Sequence, residues 1–144
     1  MQTNNKAVLL LSLSLLASSA ANAGSLSVEL GNGIKPGELL MVAVYDQKDS
    51  WLKKSLRGVR EAAPAQLDQR GSHTLNIDEL PAGRYAVAVY VDKNANGKLD
   101  RGMFGIPSEP YGFSNGGGSF GPPSYDDAAF DLSAGATAIQ IKLN

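Results

Sequence analysis

Residues 85–100 read Y-A-V-A-V-Y-V-D-K-N-A-N-G-K-L-D, and the two halves of this stretch decide the fold. In the first half Tyr85, Val87, Val89 and Val91 alternate with Ala86, Ala88 and Tyr90. At a side-chain period of two that is a β-strand with one large and one small apolar face, hence a core strand. In the second half Asp92, Asn94, Asn96 and Asp100 stand at relative positions one, three, five and nine, with Gly97 at six. This is the spacing of the front of an EF-hand calcium loop.

A hard cation takes six to eight oxygens from a chain curled around it, and alternate residues of such a loop point inward. Asp92, Asn94, Asn96 and Asp100 are the candidate side-chain ligands, Lys98 contributes its backbone carbonyl, and Leu99 is expected to point into the core. Position twelve, a bidentate Glu in an EF-hand, is Met103 here, so another carboxylate must close the shell. Glu109 is the first candidate, because Gly105, Pro107 and Pro110 can turn the chain back; Asp126 and Asp127 are alternatives. The competing reading is an Asn/Gly turn whose side chains cap their own backbone.

Working outward, Met1 to Ala23 carry Lys6, an apolar run from Ala7 to Leu16, and Ala21-Asn22-Ala23. A charged start, a short apolar run and an A-x-A site predict a signal peptide over 1–23, cut before Gly24. The mature chain, 24–144, is then a single domain located in the periplasm or secreted, with no transmembrane segment. Without Lys6 it keeps 12 basic and 14 acidic groups. That balance argues against nucleic acid as a partner. Cysteine is absent, so stability must come from packing and, on this reading, from a bound ion.

Leu26, Val28 and Leu30 alternate with polar residues, Glu38 to Asp46 is apolar on both faces, and His73, Leu75 and Ile77 alternate again. These predict two half-buried strands and one central strand. Val59 to Leu67 alternates too, but Pro64 places it at an edge. Ser50 to Gly58 has the spacing for one or two helical turns, with Trp51 as a lid over one end of the domain. Ala128 to Leu132 and Ala136 to Leu143 supply the last strands. About seven strands with turns between them predict an all-β, antiparallel β-sandwich with one long Gly/Pro/aromatic loop.

That loop, 101–125, holds Phe104, Tyr111, Phe113, Phe120 and Tyr125 among fixed-φ prolines. A loop of this length inside a domain is generally functional. Tyr111, Phe113, Phe120 and Tyr125 are its candidate binding surface, for a protein or a small ligand. Two matches inside it are accidental. Gly112-Phe113-Ser114-Asn115-Gly116 fits G-x-S-x-G, but the lone histidine, His73, precedes it and no helix follows. Gly116, Gly118 and Gly121 fit G-x-G-x-x-G but open onto Pro122-Pro123.

The segments L-P-A-G-R-Y-A-V-A-V-Y-V-D (80–92), N-A-N-G-K-L-D (94–100), F-G-I-P-S-E-P-Y-G-F-S-N (104–115) and P-P-S-Y-D-D-A-A-F (122–130) together resemble the bacterial domain-of-unknown-function family 2141. The L-P-x-G-x-Y-x-V-x-V portion is also similar to transthyretin-like (prealbumin-like) and carboxypeptidase-regulatory-like sandwiches. The resemblance implies the sandwich and says little of activity. The leading expectation is a noncatalytic, calcium-stabilised exported module that binds through its aromatic loop. The alternatives are a hydrolase using Asp126, Asp127 or Glu109 as acid or base, and a structural envelope protein associating through strand edges.

Overall fold

Every second residue of β1 (Ala23–Gly31) is buried, as the alternation of Leu26, Val28 and Leu30 requires. In this computed structural model the described residues are 23–31, 33–117 and 120–144. The expected signal peptide therefore lies outside them, apart from Ala23, which opens β1. Seven further strands follow: β2 (Leu39–Tyr45), β3 (Arg57–Ala62), β4 (His73–Pro81), β5 (Gly83–Asp92), β6 (Tyr111–Phe113), β7 (Phe130–Leu132) and β8 (Ala136–Lys142). They form two sheets, one in the order β4-β1-β8 and the other β3-β2-β5-β6, with β7 also paired to β5. The fold is the all-β sandwich expected.

Between the sheets Leu26, Val28 and Leu30 meet Leu40, Val42 and Val44 of β2 and the large face of β5, Tyr85, Val87, Val89 and Val91. Burying such side chains, at about 1.5–3 kcal/mol each, is the main favourable contribution to this fold. As Pro64 implied, β3 ends before it and lies at a sheet edge.

Three local expectations are corrected. The β1–β8 pair is parallel, in a sandwich expected to be antiparallel throughout. The reason is that β8 arrives by a crossover from β7 in the facing sheet rather than by a hairpin from β1. The helix expected over 50–58 is only a 3-10 turn at Lys48–Ser50, because Trp51 leaves the helical region at ψ 125° and Leu52 follows at φ 55°. Ala128 ends a single helical turn, α1 (Tyr125–Ala128), capped by Ser124, and the strand expected from Ala128 begins at Phe130.

The sheets are stitched along both sides. His73 Nε2 and Glu61 Oε1 are 2.9 Å apart across the β4/β3 edges, and the Arg57 guanidinium donates to the Asp78 carbonyl. On the other side the Asn144 N–H donates to the Tyr111 carbonyl at 2.8 Å. Gly112 is required there, since a Cβ would stand 2.6 Å from the Lys142 carbonyl oxygen.

The small face of β5 looks away from this core. At one end Ala86 is covered by Tyr45, Tyr125, Ala128 and Ala129, with Trp51 packed against them. Trp51, expected as a lid over one end of the domain, instead covers the outer face of this sheet: its indole N–H donates to the Pro123 carbonyl at 2.9 Å and its ring meets Tyr45 edge-on at 4.9 Å. At the other end, above Ala88, the outer face is open. Among the described residues no helix is long and apolar enough to cross a membrane.

Candidate functional site

The chain leaves β5 through Asp92, which is 1% exposed and accepts hydrogen bonds from the backbone N–H groups of Asn96 (Oδ1, 3.1 Å) and Gly97 (Oδ2, 2.7 Å). Gly97, at φ 76°, takes the left-handed conformation the tight turn needs. Asn94 Oδ1 accepts from Asn96 N and Asn96 Oδ1 from Lys98 N, while both amide Nδ2 groups donate to the Asp100 carboxylate, at 2.6 and 2.9 Å. Asn94, Asn96 and Asp100 therefore meet through their side chains, while the Asp92 carboxylate is taken up by backbone N–H groups of its own turn, the pattern of the capped Asn/Gly turn.

Glu109 joins them, as the Gly/Pro spacing suggested. It is 6% exposed, with Oε1 accepting from Lys93 N at 2.8 Å and Oε2 from Asp100 N at 3.0 Å. One carboxylate thus clamps the two ends of the loop. Among the described residues no three His, Cys, Asp or Glu side chains form a metal-holding group. The donors do fit a hard cation in kind, being carboxylate and amide oxygens, each with a lone pair beyond the hydrogen bond it accepts. The network fixes both asparagine amides, each Oδ1 on a backbone N–H and each Nδ2 on the Asp100 carboxylate.

Beyond Asp100 the chain makes a short hairpin. Ser108 N donates to Asp100 O at 2.9 Å, Arg101 bridges to Pro107, and Gly102 N donates to Ile106 O at 2.8 Å. At its tip Phe104 sits at φ 62°, ψ 17°, a left-handed conformation rare for a bulky residue, and its ring is 92% exposed. The Arg101 guanidinium braces the tip by donating Nη1–H to Gly105 O at 2.9 Å. The backbone closes again where Val91 N donates to Pro110 O, and β6 follows.

This hairpin walls a groove of about 560 Å³ over the open end of the outer sheet face. Ala43 and Ala88 form its low floor, Phe104 and Ile106 one wall, and Phe120 and Pro122 stand on the lining from the far end of the long loop. Leu99, expected in the core, lines the groove instead. The reason is that the loop turns Leu99 over the outer face, where it is half-buried. Burial pushes the hydroxyls of Tyr45 and Tyr90 above the usual tyrosine value, and both residues line the groove.

The four expected binding aromatics separate. Phe120 is fully exposed and Tyr111 half-buried, both on the lining. Phe113 also lines the groove but is itself buried, its ring 5.9 Å from Tyr111 and tilted 73° to it. Tyr125 is not a surface residue: α1 turns it inward, and its hydroxyl donates to the Arg84 carbonyl. Sequence reasoning missed Arg101 and Ile106 as groove residues, and only the exposure of the hairpin tip reveals them.

A family described as an uncharacterized protein conserved in bacteria, DUF2141, matches residues 33–140. The chain belongs to the DUF2141 family. The match takes in the acidic loop, the hairpin and every groove-lining residue. No curated protein and no solved structure matches the chain.

In this DUF2141 chain the carboxylates considered as acid or base have other partners. Asp126 pairs with Lys48 at 2.5 Å, and Lys48 holds its carboxyl below the usual range. Asp127 accepts from the Ser124 hydroxyl at 2.6 Å, and neither aspartate nor Glu109 lines the groove. Ser114 of the G-x-S-x-G match is fully buried. Its hydroxyl accepts from Val87 N and donates to the Ala128 carbonyl, bridging the gap where β6 and β7 sit in tandem along β5. That is a structural serine.

Proposed function

We propose that this DUF2141 protein is an exported, noncatalytic binding module whose groove takes a small apolar ligand, with calcium in the 92–100 loop steadying the hairpin that forms one wall. The observation that carries the reading is Phe104, a ring held out in solvent by a left-handed backbone over an alanine floor. Strained conformations of this kind persist where the surroundings over-determine them, and they cluster at ligand clamps. A groove of this volume lies within the range of small-molecule pockets.

Asp92, Asn94, Asn96, Asp100 and the carbonyl of Lys98 would hold the ion, which would supply charge neutralisation among the carboxylates. Glu109, engaged with backbone N–H groups at both ends of the loop, acts as the clamp. Export through residues 1–23 would place the module in the periplasm or outside the cell.

The test uses N-phenyl-1-naphthylamine, a neutral apolar dye that fluoresces in apolar surroundings, with the mature chain and a Phe104→Ser, Phe120→Ser variant. Both rings are exposed, so the variant should melt within about 2 °C of the parent, surface changes costing within ±0.5 kcal/mol. Saturable dye binding by the parent and its loss in the variant is the expected result. Equal binding by both would remove the groove from the account.

A further inference from the structure

Among the described residues the groove has one charged side chain on its lining, Arg101, at the base of the hairpin. Its guanidinium spends one N–H on Gly105 O and forms no ion pair among the described residues, so further donors remain for a ligand. The remaining polar side chains of the lining are the hydroxyls of Tyr45, Tyr90 and Tyr111. A sugar, peptide or nucleotide would bring many hydrogen-bonding groups into a lining that is mostly apolar, at about 1–3 kcal/mol for each one left unpaired. An alkyl chain brings none. Its methylenes gain about 0.8 kcal/mol each on burial, and a single carboxylate at its end meets the one cation of the rim.

We propose that the occupant is a monoanionic amphiphile of the fatty-acid class, its chain on the Ala43/Ala88 floor beneath Phe104 and its carboxylate on Arg101. This rests on the reading of the groove as a ligand site and adds the ligand's chemistry to it.

The experiment is calorimetric titration of the mature chain with dodecanoate, dodecanol and dodecyltrimethylammonium, each below its micellar concentration, repeated with Arg101→Gln and Arg101→Lys. A charge-assisted hydrogen bond contributes about 1.5–3 kcal/mol, so dodecanoate should bind at least roughly ten-fold more tightly than dodecanol. The ammonium amphiphile should bind weakest. Arg101→Gln should bring dodecanoate down to the level at which the same variant binds dodecanol. Arg101→Lys, which keeps the charge, should retain most of the preference, separating charge from any loss of the Gly105 brace.

Equal binding of all three amphiphiles, unaltered by Arg101→Gln, would overturn the head-group assignment while leaving the groove as an apolar site. Preference for the ammonium would overturn it as well. Binding of none of them would overturn the groove reading itself.

Discussion

Glu109 is a single buried carboxylate on which two stretches of chain depend, through Lys93 N and Asp100 N. Glutamine is nearly isosteric but presents an NH₂ to one of those N–H groups, setting donor against donor. Losing one such bond at a buried site costs about 1.5–3 kcal/mol. Glu109→Gln should therefore melt roughly 5–10 °C below the parent by calorimetry, for a domain of this size. A shift of less than a degree would mean that the clamp is redundant with the Asp92 turn. At this scale the sequence was informative where spacing carried the chemistry: the side chains of Asn94, Asn96 and Asp100 meet as their period implied, and Asp92 instead caps backbone N–H groups of the same turn. It was silent on what Glu109 grips, because backbone N–H groups have no signature in side-chain identity.

At the scale of elements, the loop and the hairpin form one excursion from β5 to β6, fastened at its base by Glu109 and by the Val91–Pro110 bond. An ion in the loop would stabilise the whole excursion. At free calcium about 100-fold above Kd, mass action adds roughly 2.7 kcal/mol. Thermal unfolding should then come several degrees higher in millimolar calcium than in chelator, with magnesium less effective because it demands a smaller octahedral cage. Asn94→Ala should narrow the difference. Equal melting temperatures for the parent in both solutions would leave a turn capped by its own side chains.

The strands themselves were legible, since alternation at 26–30, 73–77 and 85–91 reports burial directly. The parallel β1–β8 pair, the tandem seating of β6 and β7, and the inward turn of Tyr125 were not. They depend on partners distant in the chain, and local periodicity carries no record of them.

For the whole molecule, the decisive feature is a sheet with two apolar faces. Tyr85 to Val91 present large side chains to the core, and Ala86 and Ala88 leave the other face low. One end of that face is roofed by α1 and Trp51, and the other end is the groove. The alternation of large and small residues in 85–91 announced the second face; the roof over half of it came from tertiary packing. Titration of the isotope-labelled mature chain with dodecanoate, followed by methyl NMR, tests this most directly. The account predicts saturable shifts at Ala43, Ala88, Leu99 and Ile106, with Thr74 and Ala138 on the opposite sheet unmoved. Shifts centred on the β4-β1-β8 sheet, or none at any methyl, would contradict it.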